Sequence, residues 1–184
     1  MTLKWYRIQK DATTTFLHEG EGVDDSPGLE VLQEAVGGLI ERIPDYYMVF
    51  REDVGNPNQH RPRELMLYDA DNEKEIVGRL VQVFANDESK LPLYGITDPD
   101  KEKEQELRQE YIQANLNPLS VIMQPHDFIL GDVVVCLTDV QENDPEPYPD
   151  WMKGMNEEEY AAWAESWRER SNTQSPSDEQ EDLQ

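Results

Sequence analysis

What this chain has least of is positive charge. Lys and Arg number 16 against 40 Asp and Glu, a formal net charge of −24 at neutral pH over 184 residues. Nucleic-acid binding depends on Lys and Arg neutralising phosphates, so this balance argues against direct nucleic-acid contact. It disfavours anionic membrane surfaces for the same reason. Cysteine is nearly absent as well. Cys136 alone excludes an intrachain disulfide and a thiolate zinc site, and it fits a reducing compartment. Its place in an apolar run reads as a small buried hydrophobe. The three histidines, His18, His60 and His126, occupy separate loop-like contexts without H-x-x-x-H spacing, so no local metal site is expected. Long apolar runs are also missing. The opening M-T-L-K-W-Y-R-I is not of signal-peptide character and no stretch could span a bilayer, which points to a cytoplasmic protein.

Catalytic patterns are missing too. No G-x-S-x-G, Walker or dinucleotide motif occurs, and the acid-rich D-A-D-N-E-K-E lacks the glycine and terminal Glu of a calcium loop. His126 and Asp127 look like the paired groups of a general base, but neighbours in a turn ordinarily bond the backbone. Carboxylates are too abundant for any pair to stand out. The expectation is therefore a protein that is not an enzyme, with no catalytic residue, no cofactor and no metal. The acidity itself has three readings: solubility or adaptation to a salty cytosol, docking onto a basic partner, or mimicry of nucleic-acid charge. Residues 139–184 hold 14 acidic and 3 basic side chains, so the body of the chain is acidic as well as its end.

What is present centres on residues 128–137, F-I-L-G-D-V-V-V-C-L. This run is rich in β-branched residues and too short for a buried helix. It predicts a strand covered on both faces. Gly131 is expected to be structural, marking a bulge or bend in it. Earlier, residues 4–8 and 13–17 predict an opening hairpin. Ser26 as N-cap and Pro27 at the first position predict a core helix over 27–36, with Leu29, Leu32, Ala35 and Val36 facing inward. Gly37 and Gly38 are the second structural pair. They follow a helix rather than precede one, so they read as its C-terminal stop and not as a phosphate loop.

Residues 39–43 and 46–50 read as strands, and 64–68 with 75–84 as a hairpin around the D-A-D-N-E turn. A second helix is expected over 99–114, capped by Asp98. Its narrow stripe of Leu107, Tyr111 and Ala114 keeps it at the surface, with Glu104 and Arg108 in the favourable i,i+4 order.

After Thr138 the composition changes. Residues 139–155 read as an acidic, Pro-rich linker, 156–170 as an amphipathic helix opened by an Asn156/Glu159 capping box, and 171–184 as a disordered acidic tail. Tyr160, Trp163 and Trp167 share one face of that helix. They are the candidate partner-binding residues, although such a stripe also suits packing against the chain's own sheet.

Leu32-Gln33, Val36-Gly37-Gly38 and Ile40-Glu41 resemble the L-Q-x-x-V-G-G-x-I-E signature of the domain of unknown function 3846 family, known from bacteria and their phages. Residues 86–91 are similar to that family's N-E-E-G-K-L hairpin, with Ser89 where glycine is usual. Asn117-Pro118 and residues 129–135 resemble its later asparagine and its closing glycine-containing strand. The resemblance spans about residues 4–138, interrupted at 44–76 and 94–114. It implies a small α+β domain and a phage or mobile-element setting, and it implies no activity.

The expected architecture is thus an α+β globular domain over 1–138. It has a small mixed or antiparallel sheet packed by one core helix, a peripheral charged helix and a C-terminal amphipathic helix. The expected function is that of an acidic accessory protein binding a host protein, by preference a basic one that handles nucleic acid. Two alternatives stand beside it. One is a nucleotide- or metabolite-binding protein with a pocket beside the bent Gly131 strand. The other is an acidic housekeeping domain of halophile type without mimicry.

Overall fold

A computed structural model describes residues 1–48, 64–124 and 127–143, together with Glu158, Ala161, Ala162, Glu165 and Glu169. The opening hairpin is present. Strand β1 (Thr2–Ile8) pairs antiparallel with β2 (Thr14–Glu21), with a register shift after Trp5. Asp11 holds the connecting turn by accepting the Thr13 N–H at 2.9 Å, a local bond that competes with extended structure.

Helix α1 (Leu29–Val36) starts later than the sequence suggests. Ser26 does not cap it. Pro27 is buried, and the first intrahelical bond runs from the Leu32 N–H to the Gly28 carbonyl at 3.2 Å, making Gly28 the N-cap. Leu32, Ala35 and Val36 are buried as expected, whereas Leu29 is 59% exposed because it sits in the unpaired first turn. Gly37 does end the helix. Its φ of 78° is left-handed, and its N–H and that of Gly38 both reach the Gln33 carbonyl, at 2.9 and 3.0 Å. A Cβ on Gly38 would meet the Asn86 side chain at 2.7 Å, so the pair serves the turn and the close approach of the next hairpin.

Strand β3 (Ile40–Arg42) follows. The expected strand at 46–50 is corrected in its described part: Asp45–Tyr47 is a 3-10 turn entered from Pro44, and Met48 makes only a single bridge to Met123. Residues 49 and 50 lie outside the described residues. Strands β4 (Glu64–Asp69) and β5 (Lys74–Asn86) form the expected hairpin. Its turn is organised by buried Asp69, whose carboxylate accepts the N–H groups of Asp71 and Asn72 and the Asn72 side-chain amide.

The segment 91–95 is a short helix, α2 (Leu91–Gly95), so the turn at 86–89 leads into a helix rather than a second hairpin strand. Helix α3 (Lys101–Asn115) begins at Asp100, not Asp98. The Asp100 carboxylate accepts the Glu102 and Lys103 N–H groups, while Asp98 supports the cap from outside by accepting the Asp100 N–H. Among its residues none is buried, and Arg108 lies 3.4 Å from Glu104, so the surface reading holds.

A 3-10 turn at Pro118–Ile122 leads to β6 (Val133–Asn143). This is the central strand, and it is covered on both faces. Val133, Val135 and Leu137 pack with Tyr6, Ile8 and Leu80, while Val134 and Cys136 pack on the other side with Leu3, Trp5 and α1. Gly131 sits just ahead of it with φ 78°, donates to the Asn115 carbonyl at 2.6 Å and turns the chain into the strand. β6 also runs past Thr138: Ile76 pairs with Glu142 and Glu75 with Asn143, so residues 139–143 belong to the sheet rather than to a linker.

The sheet is mixed, in the order β3-β5-β4-β2-β1-β6, and an additional β5–β6 pairing closes it on itself. One parallel contact, Thr14 with Asp69, joins β2 to β4; the other pairings are antiparallel. Closure leaves one enclosed core and one face for α1. The architecture is α+β. Among the described residues no helix is long and apolar enough to cross a membrane.

Candidate functional site

The aromatic stripe predicted to bind a partner, Tyr160, Trp163 and Trp167, lies outside the described residues. The five described positions around it, from Glu158 to Glu169, are helical and exposed. They recur at helical spacing and so fall on one face.

A cavity of about 320 Å³ opens elsewhere, where three distant parts of the chain meet. Pairing of β3 with β5 sets Glu41 opposite Ala85, and the turn after β5 brings Ser89 and Lys90 alongside. The 3-10 turn after β3 supplies Tyr47. It is tied to the 123–124 segment by the Met48–Met123 bridge and by the Gln124 N–H donating to the Tyr47 carbonyl at 2.8 Å. The approach to β6 supplies Asp127, Phe128 and Ile129. The floor is apolar, from Ile43, Met123 and Ile129, all buried.

Charge is arranged around that floor. The Lys90 ammonium lies 3.2 Å from an Asp127 carboxylate oxygen and 4.5 Å from the centre of the Phe128 ring. Asp127 also accepts the Phe128 N–H at 2.8 Å, so the backbone bonding expected of this turn residue is present together with an ion pair. His126, its expected companion, lies outside the described residues. Glu41, exposed to solvent, also lines the cavity. Partial burial, then the negative charge of Asp87 and a hydrogen bond shared with it, hold the Glu41 carboxyl above the usual carboxylate range, against the pull of Lys90. Tyr47, which lines the cavity, meets Tyr46 with ring centres 4.5 Å apart and planes tilted by 43°, and Tyr46 is 71% exposed.

Such an arrangement suits a guest with a positively charged end and a flat or apolar body. Carboxylates on two sides give it a poor electrostatic match to a phosphate. The pocket borders Phe128 and Ile129 rather than Gly131, which does not line it. No local pattern announces it, because Glu41, Lys90 and Asp127 come together only through strand pairing. Among the described residues no group of three His, Cys, Asp or Glu side chains is placed to hold a metal ion.

Two buried side chains carry titratable groups, Cys136 and Tyr6. Burial pushes the Cys136 thiol up to about 12. Tyr6 has a buried hydroxyl without a hydrogen-bond partner among the described residues, and burial, followed by the negative charge of Glu142, Asp69 and Glu19, raises its phenol. Both favour the neutral, unreactive form at neutral pH.

No family model matches the chain, and no curated protein or solved structure proves similar to it.

Proposed function

We propose that this protein is a non-enzymatic binding protein whose carboxylate-rich surface docks onto a basic protein. The observation that carries this reading is the fate of its cations. Lys4 is shared between Glu19 and Glu142, Arg7 is paired with Asp132, Lys90 with Asp127, and both Lys101 and Arg108 with Glu104. If each of the 16 Lys and Arg side chains neutralised one acid, 24 of the 40 carboxylates would still lack a cation. A surface so unbalanced repels itself and attracts positive partners over about 10 Å at 0.1 M salt. The finer setting, a phage or mobile-element product acting in a host cytoplasm on a nucleic-acid-handling protein, is supported by the family resemblance and by the acidity. Exclusion of nucleic acid itself follows from the same charge.

A second reading rests on the cavity near Glu41, whose volume suits a small ligand. The two are separated by capturing proteins from host lysate on the immobilised full chain at low and high salt, with a parallel thermal-shift screen of nucleotides and metabolites. Recovery of basic proteins that are released as salt rises supports docking. Stabilisation by a metabolite with no protein recovered would replace docking by the small-ligand reading.

A further inference from the structure

We infer that the cavity between Glu41, Lys90 and Phe128 is a socket for an arginine side chain presented by the basic partner. The inference deepens the docking reading and rests on it. Three observations meet in this cavity. It is concave and apolar at its base, with Ile43, Met123 and Ile129 below the opening, so it receives a protruding side chain rather than a flat patch. Its aromatic and acidic walls are the two surfaces a guanidinium prefers: ring faces for stacking, and a carboxylate for paired hydrogen bonds.

The third observation is that the site already demonstrates its preference. The protein's own Lys90 ammonium rests against the Phe128 ring and the Asp127 carboxylate, and its side chain is 41% exposed. It is therefore held by a screened pair that a better-fitting cation can displace. Glu41 gives the incoming cation a second carboxylate. Its hydrogen-bonding neighbour is the Asp87 carboxyl, and burial together with that neighbour raises the Glu41 carboxyl against the pull of Lys90. Arginine fits better than lysine because its flat head can stack and bond at once, whereas a second ammonium would only repeat what Lys90 does.

The test titrates the full chain with Nα-acetyl-arginine amide at low salt, followed by amide NMR shifts, with the uncharged citrulline amide as the shape-matched control. The expected shifts cluster at Ala85, Ser89, Phe128 and Ile129 for the arginine probe and are absent for citrulline. Glu41→Gln is expected to weaken binding about threefold, the scale of one exposed ion pair. Lys90→Met, which removes the resident competitor, is expected to tighten it by a similar factor, whereas Lys101→Met on α3 removes the same charge elsewhere and leaves it unchanged. Shifts spread evenly over the acidic surface, or equal effects from Lys90→Met and Lys101→Met, would overturn the socket. If the probe fails to bind while salt-sensitive capture of basic proteins persists, the socket is wrong and the docking reading survives. If the probe binds in the socket and no basic protein is ever captured, the assignment of a protein partner is overturned.

Discussion

Asn117 offers the sharpest check on the physical account of this fold. It is fully buried, and its amide nitrogen donates to the Ile8 and Gly131 carbonyls, each at 2.9 Å, while its amide oxygen accepts the Leu119 N–H at 2.9 Å. One side chain thus joins the end of β1, the turn into β6 and the 3-10 turn that covers the core. Asn117→Ala deprives three backbone groups of these bonds. A buried polar group left without a partner costs about 1–3 kcal/mol. The carbonyls retain a second lone pair that other donors can reach, so we expect a loss of about 3 kcal/mol rather than the full sum. That is a large share of a typical domain stability of about 5–15 kcal/mol. It corresponds to a fall in Tm on the order of 10 °C for a chain of this size.

Asn117→Asp is expected to be worse at neutral pH. It keeps the acceptor for Leu119 but aims a carboxylate at two carbonyl oxygens. Its carboxyl pKa would be raised in the folded state, so stability is retained below the unfolded value and lost as pH rises through the folded one. Urea unfolding followed by fluorescence, at acid and neutral pH, reads both effects. A loss under about 1 kcal/mol for Asn117→Ala, or a pH-independent deficit for Asn117→Asp, would refute the reasoning.

Val134→Asp should abolish folding, because Val134 is wholly buried on the face of β6 that packs against α1 and a charge there has no partner; far-UV circular dichroism of the purified variant checks this. Cys136, with its thiol pushed up to about 12 by burial, should resist a thiol-labelling reagent at pH 8 in the native protein and react once unfolded. Glu41→Gln should raise stability at neutral pH and leave it unchanged in acid. The native carboxyl, raised by burial and Asp87, favours the folded state while protonated and loses that contribution as pH rises through its folded value; urea midpoints across pH show it.

The core was legible where one physical signal dominated. The V-V-V-C-L run could only be a strand shielded on both sides, and it packs both ways as read. The Gly37-Gly38 stop was legible because a left-handed residue was needed and glycine supplies it without strain. Helix starts were less so. Ser26 and Asp98 both offered capping chemistry, yet burial of Pro27 and the tighter geometry at Asp100 moved each start two residues on. Tyr46 and Tyr47 have β propensity, but Pro44 and the Met48–Met123 bridge bend that segment into a 3-10 turn. Asn117 stood out in the sequence only through the family resemblance, because its three bonds depend on partners as far away as Ile8. The cavity was illegible for the same reason, since Glu41 and Asp127 meet only after the sheet has formed.

The most direct test of the central claim is the salt dependence of affinity for a basic protein captured from lysate, measured by calorimetry from about 50 mM to about 1 M salt, where the screening length shortens to about 3 Å. Docking through an excess of 24 carboxylates predicts an affinity that falls steeply across that range and a weaker dependence when surface acids are changed to amides. An affinity that holds constant as salt rises would contradict the account.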